Sequence, residues 1–403
     1  MPGSPDAGPA RYDFLAPLTI VFGAGRCAEL GEVVARFGRE AWLVTGSAGL
    51  AACGGEPAVA ATLRAAGLGM TRIGTSTGEP TLADVAGVVR GLPPTAGCEP
   101  VIVAIGGGAT IDLAKAVAAL ATNLPHPQAC DDDAVADHLE GVGRGLPIVQ
   151  PPLPLVAVPT TAGTGAEATR NAVISCPHRR FKKSLRSPLL VPRAALVDPA
   201  LTLTCPRSVT AASGLDAVTQ LIESFICRFR APLPRALVLD ALPRAVAALP
   251  RVLADPRDLD ARAAMSHAAL VSGMALTNSG LGMAHGVAAA LGIECGTPHG
   301  VACAVMLPVA IAVNRSVCET DFAMLEQAID SDAPRDPRVA ADAFVQRIAD
   351  LCTTAGTPRR LADVGLSHDR LAWLAENSGG ASMRGNPVSL DPQALLPILD
   401  RAW

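Results

Sequence analysis

The run Val101-Ile-Val-Ala-Ile-Gly-Gly-Gly-Ala-Thr-Ile-Asp-Leu-Ala-Lys115 constrains the fold of this 403-residue chain more than any other stretch. It reads as a buried strand, a glycine turn and a helix start, in that order. Gly106, Gly107 and Gly108 carry no side chains, so backbone N–H groups at the helix N-terminus can approach an anion such as a pyrophosphate. The same triplet also suits a plain tight turn between strand and helix. Lysine usage sharpens the reading. Of 33 basic residues three are lysines: Lys115 on this helix, and Lys182 and Lys183 in a polar stretch past the next glycine-rich turn.

The chain has two textures. From Tyr12 to about Asp198, apolar runs (Ala41 to Thr45, Val101 to Ile105, Leu153 to Val158) alternate with Ala/Leu/Arg-rich segments of helical spacing such as Leu82 to Leu92, an α/β pattern. Beyond Pro199 the β-branched runs vanish and helical spacing dominates, punctuated by prolines at 206, 232, 234, 243, 250 and 256. The expected division is an α/β, Rossmann-like dinucleotide-binding domain over 1–197 and an all-α domain over 198–403. The stretch Gln128 to Arg144, with Asp131-Asp-Asp133, reads as a solvated excursion.

Composition excludes several functions. Hydrophobic content of 50% against 17% charged permits a large core. A net charge of −4 with scattered arginines and 3% aromatics leaves neither the basic footprint nor the stacking platform of a nucleic-acid binder. Met1 to Ala10 lacks the pattern of a secretory signal, and the apolar run Val301 to Val313 is short and holds Pro308, so neither secretion nor a membrane span is expected. Eleven scattered cysteines without a C-x-x-C pair read as reduced thiols in a cytoplasm. Cys295 and Cys303 lie near histidines but read as inert buried thiols.

A second glycine-rich turn, Pro159-Thr-Thr-Ala-Gly-Thr-Gly-Ala-Glu167, follows the strand Leu153 to Val158. Its hydroxyls and glycines suit a ribose or a second phosphate. Thr164 and Glu167 also have capping-box spacing, so an ordinary helix cap is the alternative. In the helical half, Asp216 and Gln220 are four residues apart and share a helix face, with Thr219 and Glu223 beside them. His285 and His299 each precede a glycine in apolar sequence, where a divalent cation or an ordinary buried histidine could sit.

The order Gly-Gly-Gly-x-x-x-Asp-x-x-Lys, Pro-Thr-Thr-x-Gly-Thr-Gly-x-Glu, Asp216-x-x-x-Gln220, His285 and Pro-His299-Gly resembles the iron-containing (group III) alcohol dehydrogenase family over roughly Phe22 to Arg384. The resemblance implies a dehydroquinate synthase-like architecture, with NAD(H) or NADP(H) on the α/β domain and a divalent cation, Fe or Zn, on the helical one. It implies cofactor contacts from Gly46, Gly106, Gly107, Gly108, Asp112, Thr160, Thr161 and Thr164, with Lys182 or Lys183 near the nicotinamide. Asp216, His285 and His299 would be the catalytic and metal-holding residues, with Gln220 a further ligand. A small carbonyl or alcohol substrate and a homodimer are implied too.

Three positions depart from the family pattern. Gln220 stands where a histidine is usual, and a neutral amide oxygen is the weaker partner for Fe²⁺ or Zn²⁺. Ala289 stands where a proton-relaying histidine is frequent. Val44-Thr-Gly46-Ser47 lacks the aspartate that repels a 2′-phosphate, which favours NADP(H) or dual use. Gln220 keeps a metal-independent maleylacetate-type reductase in play, and the two missing histidines keep a catalytically inactive cofactor-binding protein. A dehydroquinate synthase-type lyase fits the helical motifs less well. Arg170, Arg186 and Arg384 are candidates for an anionic substrate group.

Overall fold

The computed structural model describes residues 12–94 and 97–403; the stretch Met1 to Ala10 lies outside them. Six strands, β1 (Thr19–Phe22), β2 (Glu40–Gly46), β3 (Gly69–Ser76), β4 (Pro100–Gly106), β5 (Leu155–Pro159) and β8 (Ala194–Val197), form an all-parallel sheet in the order β1-β8-β5-β4-β2-β3. A parallel sheet with helices on both faces buries both sides of its central strands, which is why β2, β4 and β5 are near-continuous apolar runs. Alternation then sorts the side chains. Trp42, Val44, Ile102, Ala104 and Ala157 pack with α4 (Leu82–Arg90) and α5 (Gly108–Asn123), while Ala41, Leu43, Val101, Val103 and Val158 pack with α1 (Leu30–Val34) and α3 (Glu56–Ala65). The short α2 (Gly49–Ala52) follows β2.

From β2 the chain runs outward to β3, then crosses back to β4 and continues the other way to β5. The crevice at the C-terminal ends of β2 and β4 is therefore a topological switch point, where open α/β sheets take their ligands. Gly46 ends β2 and Gly106 ends β4. Between β5 and β8 an antiparallel hairpin, β6 (Asn171–Cys176) and β7 (Phe181–Arg186), holds both remaining lysines.

Gln128 to Arg144 is not a solvated excursion. It contains α6 (Asp132–Ala136), started by the Asp131 side chain accepting the Ala134 N–H, and it buries Val135, Ala136 and Leu139 against the core around α4 and α5. Leu139 also bridges to Leu185 of β7.

After β8 the described chain is helical: α7 (Arg207–Ile226), α8 (Pro232–Ala254), α9 (Leu259–Asn278), α10 (Met283–Cys295), α11 (His299–Asn314), α12 (Glu319–Ile329), α13 (Pro337–Ala355), α14 (Leu371–Asn377), α15 (Ala381–Gly385) and α16 (Pro392–Ala402). The prolines punctuate less than their spacing suggests. Pro232 and Pro234 sit in the first turn of α8, where no N–H is needed, but Pro243 and Pro250 lie inside it and the helix runs through both. Ala241, Leu242, Ala245, Ala248 and Leu249 are buried around them, so tertiary packing overrides the local cost.

The two halves touch backbone to backbone. Gly165, at φ +60°, lies so near α9 that a Cβ there would meet Ala269 O at 2.4 Å and Gly273 N at 2.5 Å; one on Gly273 would meet Gly165 O at 2.1 Å. Glycine is required on both sides of this contact. Among the described residues no helix is long and apolar enough to cross a membrane.

Candidate active site

A cavity of about 250 Å³ lies between the halves. At one end is the N-terminus of α5, where Gly108, Ala109 and Asp112 line the wall. Gly107 is the N-cap; its carbonyl accepts the Thr110 N–H at 3.0 Å, which leaves the N–H groups of Gly108 and Ala109 without an acceptor in the helix. The glycines let hydroxyls crowd this turn: a Cβ on Gly106 would meet Thr110 Oγ1 at 2.3 Å, on Gly107 Thr161 Oγ1 at 3.2 Å, and on Gly108 Thr164 Oγ1 at 2.5 Å. Gly46 N lies 3.0 Å from the Gly106 Cβ position, and Thr160 N–H donates to Gly106 O at 3.0 Å. The structure thus brings Gly46, Gly106, Gly107, Gly108, Thr160, Thr161 and Thr164 into one hydroxyl-rich cradle on a helix dipole, a donor set suited to a pyrophosphate. Thr164 does not form the capping box with Glu167. Its Oγ1 accepts the Ala166 N–H in a short turn, and Glu167 is buried.

Lys115 and Asp112 brace this cradle. Lys115 is 1% exposed and its Nζ donates to Thr169 O at 2.7 Å, Thr169 Oγ1 at 2.6 Å and Asn171 O at 3.1 Å. Burial pushes the amine down to about 8, with Asp112 and Glu167 opposing, so it stays charged at neutral pH. Asp112 Oδ2 accepts the Val173 N–H at 3.1 Å, and burial lifts its carboxyl to about 6 against the pull of Lys115. Asp112 therefore ties β6 to α5.

The hairpin settles which lysine faces the cavity. Lys182, Ser184 and Arg186 line it, following the two-residue period of β7, which places Lys183 on the opposite face. Of the two lysines the sequence left open, including the candidate cofactor contact Lys183, it is Lys182 that lines the cavity, and its Nζ pairs with Glu79. Arg186 pairs with Glu140 at 2.8 Å, whereas Arg170 and Arg384 do not line the cavity.

At the other end, four ligand atoms of Asp216, His285, His299 and Cys303 lie within 4.8 Å of one another, the one such group of three or more among the described residues. Asp216 comes from the middle of α7, His285 from the first turn of α10, and His299 and Cys303 from successive turns of α11. Gly300 lets α11 lie on α7, since a Cβ there would meet Ala212 O at 2.5 Å. His285 Nε2 is 3.3 Å from Asp216 Oδ1, His299 Nε2 is 3.8 Å from the same oxygen, and Cys303 Sγ is 3.7 Å from His299 Nε2. Although close, Asp216 Oδ1 and His285 Nε2 are not aligned for a hydrogen bond, and both are buried without one.

Glu223 organises the cluster. Its Oε2 accepts His285 Nδ1–H at 2.7 Å and its Oε1 accepts the Ala284 N–H at 2.7 Å. It both caps α10 and turns His285 Nε2 toward Asp216. Gly282 leaves room for it, because a Cβ there would meet Glu223 Oε1 at 2.7 Å. Burial acts to lower the His285 pKa, but Cys303, Asp216 and Glu223 raise it, and the net is well above its ordinary value. Burial pushes the Cys303 thiol up to about 12, so at neutral pH the sulfur keeps its proton. Burial also pushes His299 down to about 4, which keeps its imidazole neutral as a ligand must be. Asp216 ends below its ordinary value: burial raises it, and His299 and His285 outweigh that. Two buried carboxylates facing orphaned nitrogen and oxygen atoms fit a divalent cation.

Gln220 lines the cavity but is otherwise engaged. Its Oε1 accepts Ser272 Oγ–H at 2.6 Å and its Nε2 donates to Thr164 O at 3.3 Å, tying α7 to α9 and to the turn after β5. Cys303, read from the sequence as inert, joins the cluster instead. The signal was its place one turn beyond His299, the spacing already weighed for Asp216 and Gln220.

Family models cover both halves: residues 17–199 match "Iron-containing alcohol dehydrogenase" and residues 210–403 match "Fe-containing alcohol dehydrogenase family, C-terminal". The probable alcohol dehydrogenase EutG of Escherichia coli is 33% identical over 375 residues, 93% of this chain and 90% of its own. The NAD-dependent methanol dehydrogenase of Bacillus methanolicus is 28% identical over 97% of this chain and 99% of its own. The crystal structure of a 1,3-propanediol oxidoreductase superposes with a TM-score of 0.86 at 28% identity, covering 98% of this chain and all of that one. With this likeness running through both the α/β and the helical half, the chain belongs to the iron-containing alcohol dehydrogenase family and is an oxidoreductase.

Proposed function

We propose that the chain interconverts a small alcohol and its aldehyde or ketone, using NAD(P) seated on the α5 cradle and a divalent cation held by Asp216, His285 and His299. The observation that carries this reading is the orphaned, carboxylate-backed cluster at one end of a cavity whose other end is a helix N-terminus. When bound, the nicotinamide supplies or takes the hydride and the cation polarises the carbonyl oxygen. The first-turn N–H groups of α5 and the hydroxyls of Thr160, Thr161 and Thr164 bind the pyrophosphate. Glu223 holds the proton on His285 Nδ1, so the Nε2 proton is the one a cation would displace. Leu276, Leu281 and Ala289 line the cavity and limit water near the reacting carbon. Its modest volume favours a small substrate.

Ser47 follows Gly46 at the end of β2 and presents no carboxylate against a 2′-phosphate, so NADP(H) is admitted beside NAD(H). The neat fit of the cluster to a cation favours the metal-dependent reading over a maleylacetate-type reductase. Two domains, 1–197 and 198–403, in a dehydroquinate synthase-like arrangement, and a homodimer formed along the edge strand β1, complete the proposal. The test is elemental analysis of protein purified without added metal, beside NADPH and NADH oxidation with a panel of aldehydes before and after chelation. Near-stoichiometric metal with chelator-sensitive turnover is expected; chelator-resistant turnover of metal-free protein overturns the role of the cation.

A further inference from the structure

We propose that Cys303 is the fourth protein ligand of the cation, standing in for Gln220 and giving an Asp–His–His–Cys donor set that favours zinc over ferrous iron. The proposal rests on the metal-dependent reading above and adds to it the identity of a ligand and the class of metal. Three observations carry it.

The first is geometric. A tetrahedral ion with bonds of roughly 2.0–2.3 Å to nitrogen, oxygen and sulfur places its ligand atoms about 3.3–3.8 Å apart. Three of the six separations are 3.3 Å, 3.7 Å and 3.8 Å, for the pairs His285–Asp216, Cys303–His299 and His299–Asp216, and the other three lie within 4.8 Å. The second is the spacing of His299 and Cys303. Four residues apart on α11, they present ligand atoms from successive turns of one face, so a single helix supplies half of the set. The third is that Gln220 is occupied elsewhere by Ser272 and Thr164, and swinging its oxygen to an ion would break both bonds.

Position divides the four ligands. His285 and His299 line the cavity, whereas Asp216 and Cys303 lie behind them, Cys303 fully buried. The pair at the back would grip the ion, and a substrate oxygen arriving from the cavity side would enter as a fifth neighbour. Binding breaks the Cys303 S–H bond, forms a sulfur–metal bond and releases one proton to solvent, with no change of oxidation state. A thiolate is a soft donor that selects zinc over hard or borderline oxygen-preferring ions, which offsets the loss of a histidine at position 220.

The test uses the intact protein loaded with zinc, and in parallel with cobalt(II). Zinc-edge X-ray absorption should resolve one sulfur neighbour at about 2.3 Å beside lighter neighbours at about 2.0–2.1 Å. The cobalt protein should carry a near-ultraviolet sulfur-to-metal charge-transfer absorption that Cys303→Ser abolishes while cobalt stays bound, and that Gln220→Ala leaves in place. Cys303→Ser should weaken zinc binding about tenfold or more. Stoichiometric metal with only light-atom neighbours, or an absorption unchanged in Cys303→Ser, overturns the assignment and leaves the metal-dependent reading standing. Failure to bind either metal overturns both. Should Cys303→Ser not fold, the absorption spectrum of the unaltered zinc protein decides by itself.

Discussion

Glu223→Gln exchanges one oxygen for a nitrogen and tests whether that carboxylate sets the tautomer of His285. In the structure one oxygen takes the Ala284 N–H and the other takes His285 Nδ1–H, each at 2.7 Å. A carboxamide offers one acceptor and one donor group. If its oxygen stays on Ala284, its NH₂ faces Nδ1 and demands that this nitrogen be bare, which sends the ring proton to Nε2, the atom aimed at Asp216. A protonated Nε2 cannot ligate. Losing such an outer hydrogen bond costs about 10- to 100-fold in metal affinity, or roughly 1.4–2.7 kcal/mol. If the amide turns over instead, its NH₂ opposes the Ala284 N–H and leaves that donor buried and unsatisfied, at about 1–3 kcal/mol of stability. Two readouts therefore bracket the outcome: zinc affinity by competition with a chromophoric chelator, and urea unfolding of the metal-free protein. The substitution should register in at least one. Zinc affinity within twofold of the parent, together with an unchanged urea midpoint, would refute the reasoning.

Lys115→Met removes a buried cation from three acceptors and from between Asp112 and Glu167, so urea unfolding should report a loss of about 3–5 kcal/mol; a loss under 1 kcal/mol would mean the network is not structural. Burial raises the Glu167 carboxyl from 4.5 to about 7 in the folded chain. Its protonated form favours folding, so this contribution is fully present below pH 4.5 and lost as pH rises through 7, amounting to roughly 3 kcal/mol. The stability of the parent relative to Glu167→Gln should fall by that amount across the window, and a flat difference would contradict it. Gly108→Ala drives a Cβ to 2.5 Å from Thr164 Oγ1. Displacing that hydroxyl should weaken NADPH binding about tenfold, on an overpacking cost of about 1–3 kcal/mol, as read by fluorescence titration.

What the sequence made legible follows from how tightly each residue is tied to backbone geometry. The strand–glycine–helix run needs its apolar period and its missing side chains, and it forms β4, Gly107 and α5 where read. Asp216, His285 and His299 stood out as polar residues in apolar helices, and the fold brings them together. β3 was not legible, because its residues Gly69-Met-Thr-Arg-Ile-Gly-Thr-Ser76 make a polar edge strand with no apolar run. Lys182 and Lys183 could not be told apart without the register of β7, since adjacent strand residues differ in nothing but face. That Cys303 lies beside Asp216, His285 and His299 was not legible, because nothing in the sequence around a buried thiol names its three-dimensional neighbours. Gln220 shares the face of Asp216 as its spacing requires, yet spacing says nothing of the Ser272 hydroxyl that claims its oxygen.

The Gly165–Gly273 contact works as a gauge block. The turn that carries Thr164 is pressed against α9 by main chain on main chain, and Gln220 ties the same turn to α7 through Thr164 O. With a pyrophosphate on α5 and an ion at the Asp216–His285–His299 cluster, as proposed, the reach between them would be set by peptide thickness and not by the bulk of any lining residue. On that reading, substitutions at the lining residues Leu276, Leu281, Ala289, Ala381 and Ser382 would alter which alcohol fits without altering how far a bound nicotinamide stands from the metal.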